Sequence, residues 1–185
     1  MRSIAIVAFL AMMITPCIAE PDSITTGPYK VSFDLGLPND VYNITVADPQ
    51  TEESLSGEIK TVYSVDLTNK TGFFRKAGII LESHDTEQVI PTQDELVLMM
   101  KIAFSDDEHM YNTEVAGRRI DGHDGAIGSG TLKEVGSGQE VDNYLVSYYP
   151  SSTTKVTIIS SYPWEEGTLQ LLKTIHIEEA ARGGN

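Results

Sequence analysis

Apolar and polar residues alternate with a period of two along much of this chain. Tyr29, Val31, Phe33 and Leu35 are separated by Lys30, Ser32 and Asp34, the pattern of a strand with one buried face and one wet face. Tyr42, Ile44 and Val46 repeat it, and Gly36-Leu37-Pro38-Asn39-Asp40 between them supply the residues of a chain reversal. The same reading predicts strands over 59–67, 77–82, 115–120, 126–132, 143–149 and 155–160. Polar stretches ending near Gly57 and running from Thr68 to Gly72 read as loops. Asp121-Gly122-His123-Asp124-Gly125 reads as a glycine-rich turn, and Pro150-Ser151-Ser152 as the turn of the last strand pair.

Two segments change period. Thr92 precedes Glu95 by three residues, a capping-box spacing, and Leu96, Met99, Met100 and Phe104 follow at helical spacing, so a helix is predicted to run to about Phe104. A second helix is predicted from Pro163, with Trp164, Leu169, Leu172 and Ile175 as its apolar stripe. Strands and helices in this order predict an α+β fold, an antiparallel β-sheet packed with amphipathic helices. A β-sandwich with peripheral helices is the alternative, because strands outnumber helices.

The first residues follow neither period. Arg2, the apolar run Ile4 to Ile14 and the small residues before Glu20 read as a signal peptide over 1–19, with retention as an N-terminal anchor as the alternative. The expected organisation is therefore a signal peptide (1–19), a flexible leader (20–28), a single α+β domain (29–177) and a disordered tail (178–185). Cleavage removes Cys17, the only cysteine, together with Arg2, so the net charge moves one unit from −14 to −15. An exported domain without cysteine has no disulfide and no thiolate, and must be held by its apolar core. Its acidity disfavours phosphate backbones and anionic lipid as partners. The expected location is periplasmic, cell-envelope or extracellular, with no membrane span after cleavage.

The stretch NYLVSYYPSSTTKVTIISSYPWEEGTLQLLKTIHI, preceded by IDGHDGAIGSG and opened by YKVSFDL, resembles the PsbP-like fold. The resemblance covers the order and pattern of elements over residues 29–177. It implies an exported or lumenal α/β/α sandwich that acts as an accessory or binding protein, with a protein partner in the cell envelope. It carries over no catalytic residue.

Candidate chemistry is sparse. His84-Asp85 and His123-Asp124 are His-Asp pairs, but both fall at strand ends or turns, whereas the HD phosphohydrolases need theirs on a helix. Asp121, His123 and Asp124, spaced by Gly122 and Gly125, form the one candidate ligand-gripping loop, and the basis of the alternative reading as an exported hydrolase or metal-dependent enzyme. The competing reading of the same residues is a hairpin turn. Asp106-Asp107-Glu108-His109 lacks the alternating order of a calcium loop. Gly125 to Gly130 lies outside a strand–loop–helix context, so its glycines are expected to serve close packing or a bulge. No G-x-S-x-G elbow occurs. No catalytic residue, metal site or cofactor is assigned. Tyr144, Tyr148, Tyr149, Tyr162 and Trp164 fit either a carbohydrate or peptide groove or the edge of a core. Asn43-Ile44-Thr45 and Asn69-Lys70-Thr71 are N-glycosylation sequons, with Asn69 the more loop-like of the two. These features favour an exported, non-catalytic accessory or binding domain.

Overall fold

The computed structural model describes residues 22–70, 75–105, 110–133 and 139–179. The expected signal peptide, the tail from 180 onward and the Asp106 to His109 cluster lie outside the described residues. The fold is mostly antiparallel β-sheet with two helices. Strands β1 (Asp22–Thr26), β2 (Tyr29–Phe33) and β11 (His176–Glu179) form a small sheet in the order β1-β2-β11. A larger sheet runs β3-β5-β6-β10-β9-β8-β7, with β4 also on β5. Its strands are β3 (Tyr42–Val46), β4 (Gln50–Glu53), β5 (Ile59–Asn69), β6 (Lys76–His84), β7 (Met110–Ile120), β8 (His123–Lys133), β9 (Glu140–Ser151) and β10 (Thr154–Ser160). Helix α1 spans Gln93–Ser105; a 3₁₀ turn, Trp164–Glu166, precedes α2, Thr168–Thr174.

The period of two in the sequence sorts side chains between the faces of the large sheet. Val65, Leu67, Ile79, Leu81, Val156 and Ile158 meet Tyr29, Val31 and Phe33 of the small sheet and Leu171 and Leu172 of α2 in the main core. Each such side chain contributes about 1.5–3 kcal/mol by leaving water. The opposite face carries a second cluster, in which Leu96, Met100 and Phe104 of α1 cover Ala126, Leu145 and Tyr149. Adjacent residues of β8 and β9 divide accordingly, Ile127 and Val146 to the first cluster, Ala126 and Leu145 to the second.

Helix α1 begins where the capping box predicts. The Thr92 backbone N–H donates to Glu95 Oε2 at 2.8 Å, and the Glu95 N–H donates to Thr92 Oγ1 at 3.4 Å. It can lie close to the sheet because Gly128 has no side chain: a Cβ there would stand 2.5 Å from the Phe104 ring. Close packing is thus what this glycine of the 125–130 run provides.

Five expectations need correction. Residues 22–26, expected as flexible leader, are strand β1, paired along its length with β2. Ile24 packs on the core and the Tyr42 hydroxyl donates to the Asp22 carboxylate, which fixes this polar segment. Residues 178 and 179, expected in the disordered tail over 178–185, belong to β11, which pairs His176 to Glu179 with β2. Gln50–Glu53, expected as loop, pairs with Ile59–Val62. The second helix is two pieces, a 3₁₀ turn and α2, and Ile175 lies beyond it. Met99, expected in the buried stripe of α1, is 55 % exposed beside exposed Leu98 and Ile102.

Candidate functional site

The face of β7, β8 and β9 that turns away from α1 is only partly covered by the small sheet and α2. Strand register sets side chains there in rows: Glu114 beside Ser129 beside Tyr144, then Ala116 beside Ile127 beside Val146. Arg118 lies one step further along β7, opposite Gly125. Directly opposite side chains on one face are neighbours, so three strands contribute to one surface.

Trp164 closes this surface from the side. The Thr168 hydroxyl donates to the Tyr162 carbonyl at 2.7 Å and lies 2.8 Å from the Ser160 hydroxyl, and Tyr162 itself is fully buried. Arg75 Nη1 donates to Glu166 Oε2 at 2.8 Å. Held at both ends, the 3₁₀ turn places the Trp164 ring 5.5 Å from that of Tyr144 at 39°, with Arg118 Cζ 5.2 Å from the indole centroid. The Arg118 contact is a cation–π pair, which orients a long side chain that is otherwise free to rotate. The result is a groove of about 350 Å³ lined by Glu114, Ala116, Arg118, Ile127, Ser129, Tyr144 and Trp164. Burial, with the Asp142 charge second, raises the Tyr144 hydroxyl above its ordinary value, so at neutral pH it is a neutral donor and acceptor.

A larger hollow of about 440 Å³ lies on the α1 side of the sheet over β5, β6 and β10, but it is lined by Thr45, Asp66, Thr68, Lys76 and aliphatic residues without a ring. The combination of aromatic walls and converging polar groups belongs to the Trp164 groove.

The residues singled out from sequence are distributed differently. Asp121 and Gly122 form a two-residue turn with φ of 49° and 78°, so His123 and Asp124 already belong to β8. The Asp121 carboxylate is directed at β11: Oδ1 lies 2.7 Å from His176 Nδ1 and Oδ2 accepts the Ile177 N–H at 2.9 Å. His123 stacks on the Tyr148 ring at 6.3 Å, while Asp124 is exposed opposite Arg119. The three do not converge on a common point, and among the described residues no group of three or more His, Cys, Asp or Glu is placed to hold a metal ion. His84 and Asp85 also diverge, His84 Nδ1 to Glu58 at 2.9 Å and Asp85 to the Ile59 N–H at 3.0 Å. Of the five aromatics, Tyr148 and Tyr162 are fully buried and Tyr149 packs under α1, leaving Tyr144 and Trp164 for the groove. Asn43 is exposed on edge strand β3, whereas Asn69 is half-buried and its sequon ends at Thr71, outside the described residues. Sequence reasoning missed Glu114, Arg118 and Ser129; starting the strand at Glu114 would have put Glu114, Ala116 and Arg118 on one face.

The Asp121–His176 pair has a pH signature. Its hydrogen bond raises the His176 pKa, against partial desolvation, which lowers it, and Glu178 adds a further rise. Stability from this pair is therefore complete below the unfolded histidine value of about 6.5 and is lost as pH rises through the higher folded value. The His176 side chain is 55 % exposed, which keeps the effect small. Thermal melts across this range should show a shallow fall in melting temperature with rising pH, and Asp121→Asn should flatten it. An equal slope in that variant would assign the dependence elsewhere.

Compared with known proteins, the chain matches no protein-family model, no curated protein and no solved structure. Among the described residues no helix is long and apolar enough to cross a membrane.

Proposed function

We propose that this chain is an exported, non-catalytic accessory or binding domain of the cell envelope, and that the groove between β7, β8, β9 and the 3₁₀ turn seats a carbohydrate. The observation that carries the reading is the convergence of Trp164, Tyr144 and Arg118, with Glu114 and Ser129 in the same groove. A sugar ring offers apolar C–H surface to aromatic walls and hydroxyls to charged and polar side chains, and this lining supplies both. Export rests on the signal-peptide pattern of residues 1–19. The PsbP-like resemblance supports an accessory role beside an envelope protein, and one helix cluster on each side of an antiparallel sheet is compatible with that α/β/α layering. The alternative, a hydrolase or metal-dependent enzyme at Asp121, His123 and Asp124, has less support, because both Asp121 oxygens already accept hydrogen bonds from β11.

Screening the purified protein against an oligosaccharide array tests the reading. Binding to a defined subset is expected, with Trp164→Ala weakening it at least ~10-fold, as for aromatic anchors at binding sites. Equal binding by Trp164→Ala, or capture of an envelope protein through this groove with no sugar bound, would overturn the carbohydrate assignment.

A further inference from the structure

Strand β7 ends the large sheet. It is 11 residues long and among the described residues pairs only with β8, so one row of its backbone donors and acceptors faces outward. Such an edge is a template for another strand, and proteins commonly guard it with bulges and charges. The register slip between Tyr111 and Glu114, with Asn112 at φ 52°, guards its first residues. The remaining stretch, Glu114-Val115-Ala116-Gly117-Arg118, is regularly paired to β8 and carries opposite charges at equal distances on either side of its centre.

We propose that β7 joins two copies of this chain, antiparallel and centred on Ala116, into one continuous sheet. In that register Glu114 of each copy lies directly opposite Arg118 of the other, twice by symmetry, and Val115 lies opposite Gly117. Opposite charges directly across an antiparallel pair attract, so residues that guard the edge against other strands match it to itself. The segment also suits self-association in a chain of net charge −14, because β7 carries two arginines against one glutamate.

Antiparallel pairing of this kind places the same sheet face upward in both copies. The two Trp164 grooves then adjoin, on the face away from α1.

Sedimentation of the purified protein over a concentration series, without ligand, tests this. A monomer–dimer equilibrium is expected. Glu114→Arg and Arg118→Glu should each weaken it about tenfold or more, since each places like charges opposite one another twice. The double variant restores opposite charges and should recover the dimer, which a folding defect cannot mimic. A monomer at all concentrations up to roughly 200 µM, well above the range of micromolar association, would overturn the proposal. A dimer indifferent to the single reversals, or one the double variant fails to recover, would overturn it equally.

Discussion

Phe33→Ala is expected to lower the unfolding free energy by about 3–5 kcal/mol, a large part of the ~5–15 kcal/mol that holds a typical domain. Phe33 is fully buried on β2, the central strand of the small sheet, where it packs into the main core. Truncation removes its transfer energy and leaves a cavity between two sheets whose positions are fixed by their own ladders, so little relaxation can fill it. For a domain of this size the melting temperature should fall by about 10 °C. Urea or thermal melts followed by circular dichroism measure it. A loss below about 1 kcal/mol would mean that the small sheet does not contribute to one core with the large one.

Asp121→Ala is expected to cost about 2–3 kcal/mol although the residue sits in a turn. The Ile177 N–H would lose its acceptor, and alanine tolerates φ of 49° less well than aspartate. Asp121→Asn keeps the turn preference and one acceptor, so about 1 kcal/mol is expected. The ordering of these variants separates an anchor for β11 from a ligand-gripping carboxylate. An Asp121→Ala protein as stable as the parent would restore the ligand reading of this loop.

The two residues also show which parts of the fold were legible in the chain. Phe33 belongs to a strand whose alternation with Val31 and Tyr29 is strict, because one face of β2 is dry and the other wet. The capping box at Thr92 and Glu95 was equally readable, since both partners lie within one turn. Strand β1 was not: Asp22-Ser23-Ile24-Thr25-Thr26 has one large apolar residue, and its pairing energy comes from β2 and from Tyr42, information held elsewhere in the chain. Met99 was misplaced because α1 carries apolar residues on both its sheet side and its outward side, which blurs a 3.6-residue stripe.

The site was legible in part for the same reason. Tyr144 and Trp164 stand out by residue type, but what selects them from Tyr148, Tyr149 and Tyr162 is which sheet face each occupies and whether a second layer covers it. Arg118 and Glu114 enter only through strand register. Asp121 drew attention as an acidic loop residue, and its role follows from a positive φ and from β11, 55 residues away.

Trp164 is the sole tryptophan in the chain, so its fluorescence reports on the groove without labelling. The most direct test of the account is titration of the purified protein with a panel of oligosaccharides while its emission is followed. A saturable change in emission with a subset of sugars, reduced at least ~10-fold in apparent affinity by Tyr144→Ala, is the predicted result. Emission that stays constant across the panel, or that responds equally in the Tyr144→Ala protein, would contradict a carbohydrate site at this groove.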